Sequence, residues 1–263
     1  MHSQNTDDSH TTANASPTRT RYRLSVCPHD TAKNGPAWFF LNTYMQRQLG
    51  QGIHFEPRDS FLDERQQVLA GGHHLVYANP YSAFVFAQML GFVPVARPVG
   101  VYDETVLVAP AGAALPANRP LRLASATDKL IVHALGLTLL PGLGLSAGDC
   151  SIDFVGTHVK AAHAVLQGKA DLGFVYNETW QGLAASSRAA LQVLGETKSR
   201  QAYHCFCVGP DWADQRERVQ AILCGMKDDP KGQRVLEDLN MPAGFEPVGP
   251  DELQALRSLV GGA

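Results

Sequence analysis

Between Tyr22 and Gly91 the chain repeats one unit: a short apolar run, a few turn formers, then a helical stretch closed by glycine. Tyr22-Arg-Leu-Ser-Val-Cys27 alternates apolar and polar residues and reads as a strand. Pro28 to Asn34 is rich in turn formers and is expected as a loop. Gly35-Pro36 then opens a helix, because proline suits the first helical position. Trp38, Phe39, Leu41, Met45 and Leu49 supply its apolar face, and Gly50 and Gly52 end it. Ile53 to Pro57 reads as a second strand. Ser60-Phe-Leu-Asp63 is a loose capping box opening a helix that Gly71-Gly72 ends. Leu75-Val-Tyr77 is a short buried strand, and Asn79-Pro80 caps a third helix that stops at Gly91. Strands and helices alternating over such short connections imply a mostly parallel sheet with helices on its faces.

A second unit of the same kind follows. Val99 to Val108 is expected as one long strand, and the Pro/Ala/Gly-rich stretch 109–120 as a linker or crossing. Leu121 to Ala124 is a strand, Asp128 to Leu140 a helix, and Ser151 to Val155 a strand. Thr157 caps a helix carrying Ala161, Ala164, Val165 and Leu166, and Leu172 to Tyr176 is a buried strand before a helix over 178–185. Strands at 191–194 and 203–208 and helices near 212–225, 231–239 and 250–260 finish the chain. Both units share the order helix, glycine stop, short buried strand, polar helix start.

The 263 residues are 44% apolar and 18% charged with a net charge of −3, which excludes global disorder and gives no basic excess for nucleic acid. No apolar run approaches the roughly 20 residues that span a bilayer. Five cysteines are not a disulfide framework. Cys205 and Cys207 share one face of a strand with His204 nearby, but zinc sites favour C-x₂₋₄-C spacing, so both are read as buried apolar thiols and no metal or cofactor is expected. The glycine-rich segment from Pro141 to Gly148 lacks the Lys-Ser/Thr of a phosphate loop, and the chain has no H-E-x-x-H. Residues 1–20 hold no basic start and no apolar run. They are expected to be a disordered tail, with a cytoplasmic location for the chain as written and a periplasmic one if a leader was removed.

Gly156-Thr-His-Val-Lys-Ala-Ala162 and Ala164-Val-Leu-Gln-Gly-Lys-Ala-Asp-Leu-Gly-Phe-Val175 resemble the second-lobe signature of the PhnD-like phosphonate/phosphite substrate-binding proteins of ABC importers. The Trp38 helix, the segment from Gly71 to Asn79, Pro94, and Gly244-Phe-Glu-Pro-Val248 with its final helix are similar to other parts of that family. The likeness runs from about residue 22 to 260. It implies an α/β, two-lobed type 2 periplasmic-binding-protein fold with a ligand cleft between the lobes. By that mapping, lobe one is 21–106 plus 206–263 and lobe two is 107–205. It further implies reversible capture of a small oxyanion by hinge closure, without chemistry.

Helix N-termini offer unpaired N–H groups and a positive dipole end to an anion. Four starts are expected at the cleft: Asn34-Gly35, Ser60-Phe61, Ser125-Thr127 and Thr157-His158. Ser125, Thr127 and Thr157 offer hydroxyls, and His158 a neutral imidazole. Tyr102, Asn79, Tyr81, Tyr176 and Asn177 are candidate walls of the pocket, and Phe61 stands where the family often has a ligand-contacting tyrosine. The partners expected are a small anionic ligand and an ABC permease or signalling protein, with the chain a monomer. The rival reading is a cytosolic enzyme on the same fold acting on a small carboxylate such as a chorismate derivative.

Overall fold

The computed structural model describes residues 22–260. The first apolar run forms β1 (Tyr22–Val26), followed by α1 (Pro28–Leu49), β2 (Ile53–Phe55), α2 (Phe61–Leu69), β3 (Leu75–Ala78), α3 (Pro80–Leu90) and β4 (Val93–Pro98). The expected caps form. Ser60 accepts from the Asp63 amide and Asn79 from the Ser82 amide, while Gly50 ends α1 in the left-handed region that a β-carbon disfavours.

One correction lies in α1. The segment expected as a loop, Pro28 to Asn34, is helical from Pro28, and the helix breaks at Asn34, where φ is −153° and ψ is 73°. Asn34 Oδ1 then accepts from the Ala37 amide at 3.3 Å and recaps the helix. Turn formers can build a short helical turn as readily as a loop, and this one places His29, Asp30 and Lys33 beside the cleft.

A second correction concerns Val99 to Val108. It is not one strand: β4 ends at Pro98 and β5 (Thr105–Pro110) begins after a crossing segment. Gly100 takes a positive φ, and the Asp103 amide donates to the Ala202 carbonyl at 2.8 Å. The chain then forms β6 (Leu121–Ser125), α4 (Ile131–Leu137), β7 (Cys150–Phe154), α5 (His158–Leu166), β8 (Leu172–Tyr176), α6 (Asn177–Gly182), α7 (Ala185–Ala189) and β9 (Leu191–Glu196). It returns through residues 197–204 to β10 (Cys205–Val208), α8 (Arg216–Cys224), α9 (Pro230–Asp238), β11 (Phe245–Pro247) and α10 (Arg257–Val260).

Two sheets result, ordered β11-β4-β10-β3-β1-β2 and β7-β6-β8-β5-β9. The unit strands run parallel, with Leu24 beside Leu75 and Leu123 beside Leu172. The returning strands oppose them: β10 lies antiparallel between β3 and β4, and β5 antiparallel between β8 and β9. The sheets are therefore mixed, because each receives a strand arriving from the other. Glu104 holds the two crossing segments together, accepting from Thr197 Oγ1 at 2.5 Å and from the Arg200 amide at 2.7 Å. Trp38, Leu41 and Met45 pack with Phe206 and Phe245 on the first sheet, and Val106, Val108, Ala161 and Val165 pack on the second. Leu253 and Leu256 of the C-terminal turn join a core that also holds Phe86 of α3 and Ile131 and Leu135 of α4, so the chain end touches both halves.

Candidate binding site

Two helix starts face each other across the gap between the sheets. Ser60-Phe61 opens α2 on one side, and Thr157-His158 opens α5 on the other. Between them lies a chamber of about 540 Å³ whose lining includes Phe61, Arg65, Thr127, Lys129, Thr157 and His158. Thr157 Oγ1 accepts from the Lys160 amide at 3.2 Å, leaving the other first-turn amides to point outward. Arg65, Lys129 and Lys160 add positive charge to the two dipole ends, and Asp59 is the carboxylate on the wall.

Arg65 joins the two sides. Its guanidinium donates to Ser82 Oγ at 3.1 and 3.2 Å, lies 4.7 Å over the Tyr81 ring, and donates to the Lys129 carbonyl at 2.9 Å. Thr127 Oγ1 accepts from the Lys129 amide at 3.2 Å and lies 3.2 Å from Asp128 Oδ1. It caps no α-helix, since α4 begins only at Ile131.

Deeper in, a cavity of about 20 Å³ is lined by residues including Asn79, Asp103, His158, Tyr176 and His204. It has room for about one water. His158 Nδ1 is buried without a partner. Burial and the neighbouring His29 and His204 push the His158 pKa down to about 3, so the ring is neutral. Tyr176 Oη donates to Asp103 Oδ1 at 3.4 Å. His204 sits between two carboxylates: Nδ1 is 3.0 Å from Asp103 Oδ1 and Nε2 is 3.3 Å from Asp30 Oδ2. Burial alone would lower its pKa, but the two carboxylates outweigh that and raise it well above the ordinary value.

The structure sorts the expected residues into groups. Phe61, Thr127, Thr157 and His158 line the outer chamber, and Phe61, Asn79, His158 and Tyr176 line the inner cavity. Four others line neither. Ser125 is buried with Oγ 3.2 Å from His133 Nδ1. Asn177 braces a crossing segment, accepting from the Glu104 amide and donating to the Tyr102 carbonyl, both at 3.1 Å. Tyr102 lies under Arg97, and Tyr81 under Arg65. The Asn34 start turns away, its amide donating to the Asp238 carbonyl at 2.7 Å. Sequence reasoning missed His29, Asp30, Arg65, Asp103, Lys129 and His204. A signal existed for one of them: Asp103-Glu104 interrupts an otherwise apolar run.

Over residues 24–253 the sequence matches the family described as ABC transporter, phosphonate, periplasmic substrate-binding protein. No curated protein matches the chain. Among solved structures, PhnD1 from Prochlorococcus marinus in complex with methylphosphonate is 12% identical with a TM-score of 0.75, covering 92% of this chain and 97% of that one. A Xanthomonas citri protein bound to chloride ion is 18% identical with a TM-score of 0.74 and the same coverage. The periplasmic aliphatic sulphonate-binding protein SsuA from Escherichia coli is 13% identical with a TM-score of 0.65, covering 91% and 90%. At such identities the structural likeness establishes the two-lobed α/β fold.

Proposed function

The chain belongs to the family of periplasmic substrate-binding proteins of phosphonate ABC transporters, and from that premise we propose that it captures a small oxyanion between the α2 and α5 starts. The family is one of binding proteins rather than enzymes, and the matches lend no support to the enzyme reading. Such a protein delivers a small molecule to a permease, and no helix among the described residues is long and apolar enough to cross a membrane itself. We place its action in the periplasm on the strength of the family.

One observation carries the ligand class. A helix N-terminus from each side, reinforced by Arg65, Lys129 and Lys160, converges on one chamber. Amides and cations so arranged stabilise an anion without any titratable catalyst. Thr127 and Thr157 supply hydroxyls, and His158 supplies a neutral ring nitrogen whose partner is missing. Capture then proceeds by the two halves closing about the crossing segments 99–104 and 197–204.

Isothermal titration with methylphosphonate, phosphite, phosphate and an alkylsulfonate tests this reading. At least one is expected to bind and to raise the melting temperature. Thr127→Ala and His158→Ala should each weaken that binding by about 10–100-fold, the usual loss for a hydrogen bond to a charged group. Silence from all four oxyanions would overturn the ligand class. Unchanged affinity in both variants would overturn the placement.

A further inference from the structure

We propose that Cys27, Asp30 and His204 form a binding site for one divalent cation of the zinc class at the floor of the cleft. Cys27 ends β1's run and caps α1, Asp30 lies in the first turn of α1, and His204 arrives on the returning chain beside β10. One ligand atom from each, Sγ, a carboxylate oxygen and a ring nitrogen, lies within 4.8 Å of the others. All three residues are more than nine-tenths buried. No other trio of such side chains gathers this closely among the described residues.

Four observations point to a cation rather than a chance cluster. Asp30 Oδ2 and His204 Nε2 are both buried without a hydrogen-bond partner, although they face each other. Their separation is 3.3 Å, and two ligands about 2.0–2.1 Å from zinc at the tetrahedral angle sit about 3.4 Å apart. The other ring nitrogen, Nδ1, is 3.0 Å from Asp103, which is the carboxylate–histidine pairing that fixes the tautomer and basicity of a metal-bound imidazole. Asn79 Nδ2 lies 3.9 Å from Cys27 Sγ and orients the sulfur.

The donor set is one thiolate, one imidazole and one carboxylate, the mixture that suits zinc and its neighbours over magnesium or calcium. Three protein ligands leave a fourth position for a water or an exogenous ligand. Cys205 and Cys207, 3.5 Å apart, lack this setting, because they lie in an apolar core with no carboxylate at the sulfurs. The site stands whether or not the chamber above it takes an oxyanion.

The test uses the full chain stripped with a chelator and titrated without phosphate or phosphonate, so a failed oxyanion assay leaves it untouched. Cobalt(II) should bind one per chain, with a thiolate-to-cobalt charge-transfer band and the strong visible bands of a tetrahedral ion. Zinc should displace it. Cys27→Ser should abolish the charge-transfer band, and Asp103→Asn should weaken zinc binding by about 10–100-fold while keeping the band. Asp30→Asn serves as a second ligand variant should Cys27→Ser fail to fold, and should weaken zinc by at least as much as Asp103→Asn. A cobalt spectrum without thiolate character, a band that survives Cys27→Ser, or zinc affinity indifferent to Asp30 and Asp103 would each overturn the proposal.

Discussion

Lys33 on α1 and Glu178 at the start of α6 form an ion pair that links the two halves of the molecule. His29 Nε2 lies 3.5 Å from the second carboxylate oxygen of Glu178. The six-stranded side thus holds a single carboxylate of the five-stranded side with two cations or donors. Burial pushes the Glu178 pKa up, but the hydrogen bonds from His29 and Lys33 more than reverse it and bring it down to about 2.

This contact is expected to bias the two halves toward closure. Both side chains are partly exposed, so the pair contributes up to about 1 kcal/mol, or roughly a fivefold change in the closed-to-open ratio. Glu178→Gln should increase the radius of gyration of the ligand-free protein in solution scattering and weaken oxyanion binding by up to that factor. Because the pKa is depressed, the carboxylate's contribution is present above its ordinary value and is lost only as pH falls through about 2. Scattering profiles of the parent should therefore not open between pH 5 and 8 through this group. An unchanged radius in Glu178→Gln would remove the contact from the account of closure.

Gly136 on α4 has no room for a side chain: a Cβ there would meet the Phe174 ring at 2.5 Å. Phe174 is wholly buried in β8, two residues before Tyr176 of the inner cavity. Gly136→Ala is expected to destabilise by about 1–3 kcal/mol through overpacking. A lower urea midpoint with an unchanged slope would register it, and a midpoint equal to the parent's would show that the ring moves aside freely.

The alternation of apolar runs, caps and glycine stops made the two α/β units readable, because each signal is local: Ser60, Asn79 and Thr157 cap their helices through amides three residues away. What escaped was set by distant partners. Val99 to Val108 looks like one strand until Asp103 pairs with the Ala202 backbone across the crossing. The floor of the cleft combines Cys27 and Asp30 with His204, residues no spacing rule connects. Arg65 falls on the apolar stripe of α2 by periodicity, yet it is buried there because Ser82, Tyr81 and the Lys129 carbonyl satisfy its charge. Thr157 and His158 were legible because a hydroxyl and an imidazole at a polar helix start are locally marked, whereas the helix start expected at Ser125-Thr127 does not form: Thr127 lines the chamber from a loop and Ser125 is turned into the interior toward His133.

Asp171, prominent in the signature segment before β8, has a structural task. Its carboxylate accepts from the Arg122 amide at 2.8 Å and from Arg122 Nη2 at 2.6 Å, pinning β6 to the entry of β8. Asp171→Asn should lower the melting temperature slightly and leave oxyanion affinity as it is in the parent. A large loss of affinity at an unchanged melting temperature would instead assign Asp171 to the ligand.

Glu64 gives the protein a stability that falls with rising pH. Its side chain lies on the buried face of α2, with Ser25 Oγ donating to Oε1 at 3.1 Å and Oε2 unpartnered. Burial raises its pKa to about 7, against the smaller opposing pulls of Ser25, Arg65 and His204. A carboxyl with a raised pKa binds its proton more tightly when folded. Its contribution is complete below the ordinary value near 4.5 and is lost as pH climbs through about 7. His158 works the other way, since its depressed pKa destabilises the fold as pH falls below the ordinary histidine range. The effect of Glu64 is therefore read as a difference between Glu64→Gln and the parent, in which the His158 contribution cancels. That difference should be small at pH 4.5 and favour the variant by on the order of 3 kcal/mol at pH 8, from denaturant titrations at each pH. A pH-independent difference would mean that Glu64 ionises in the fold as readily as in the unfolded chain.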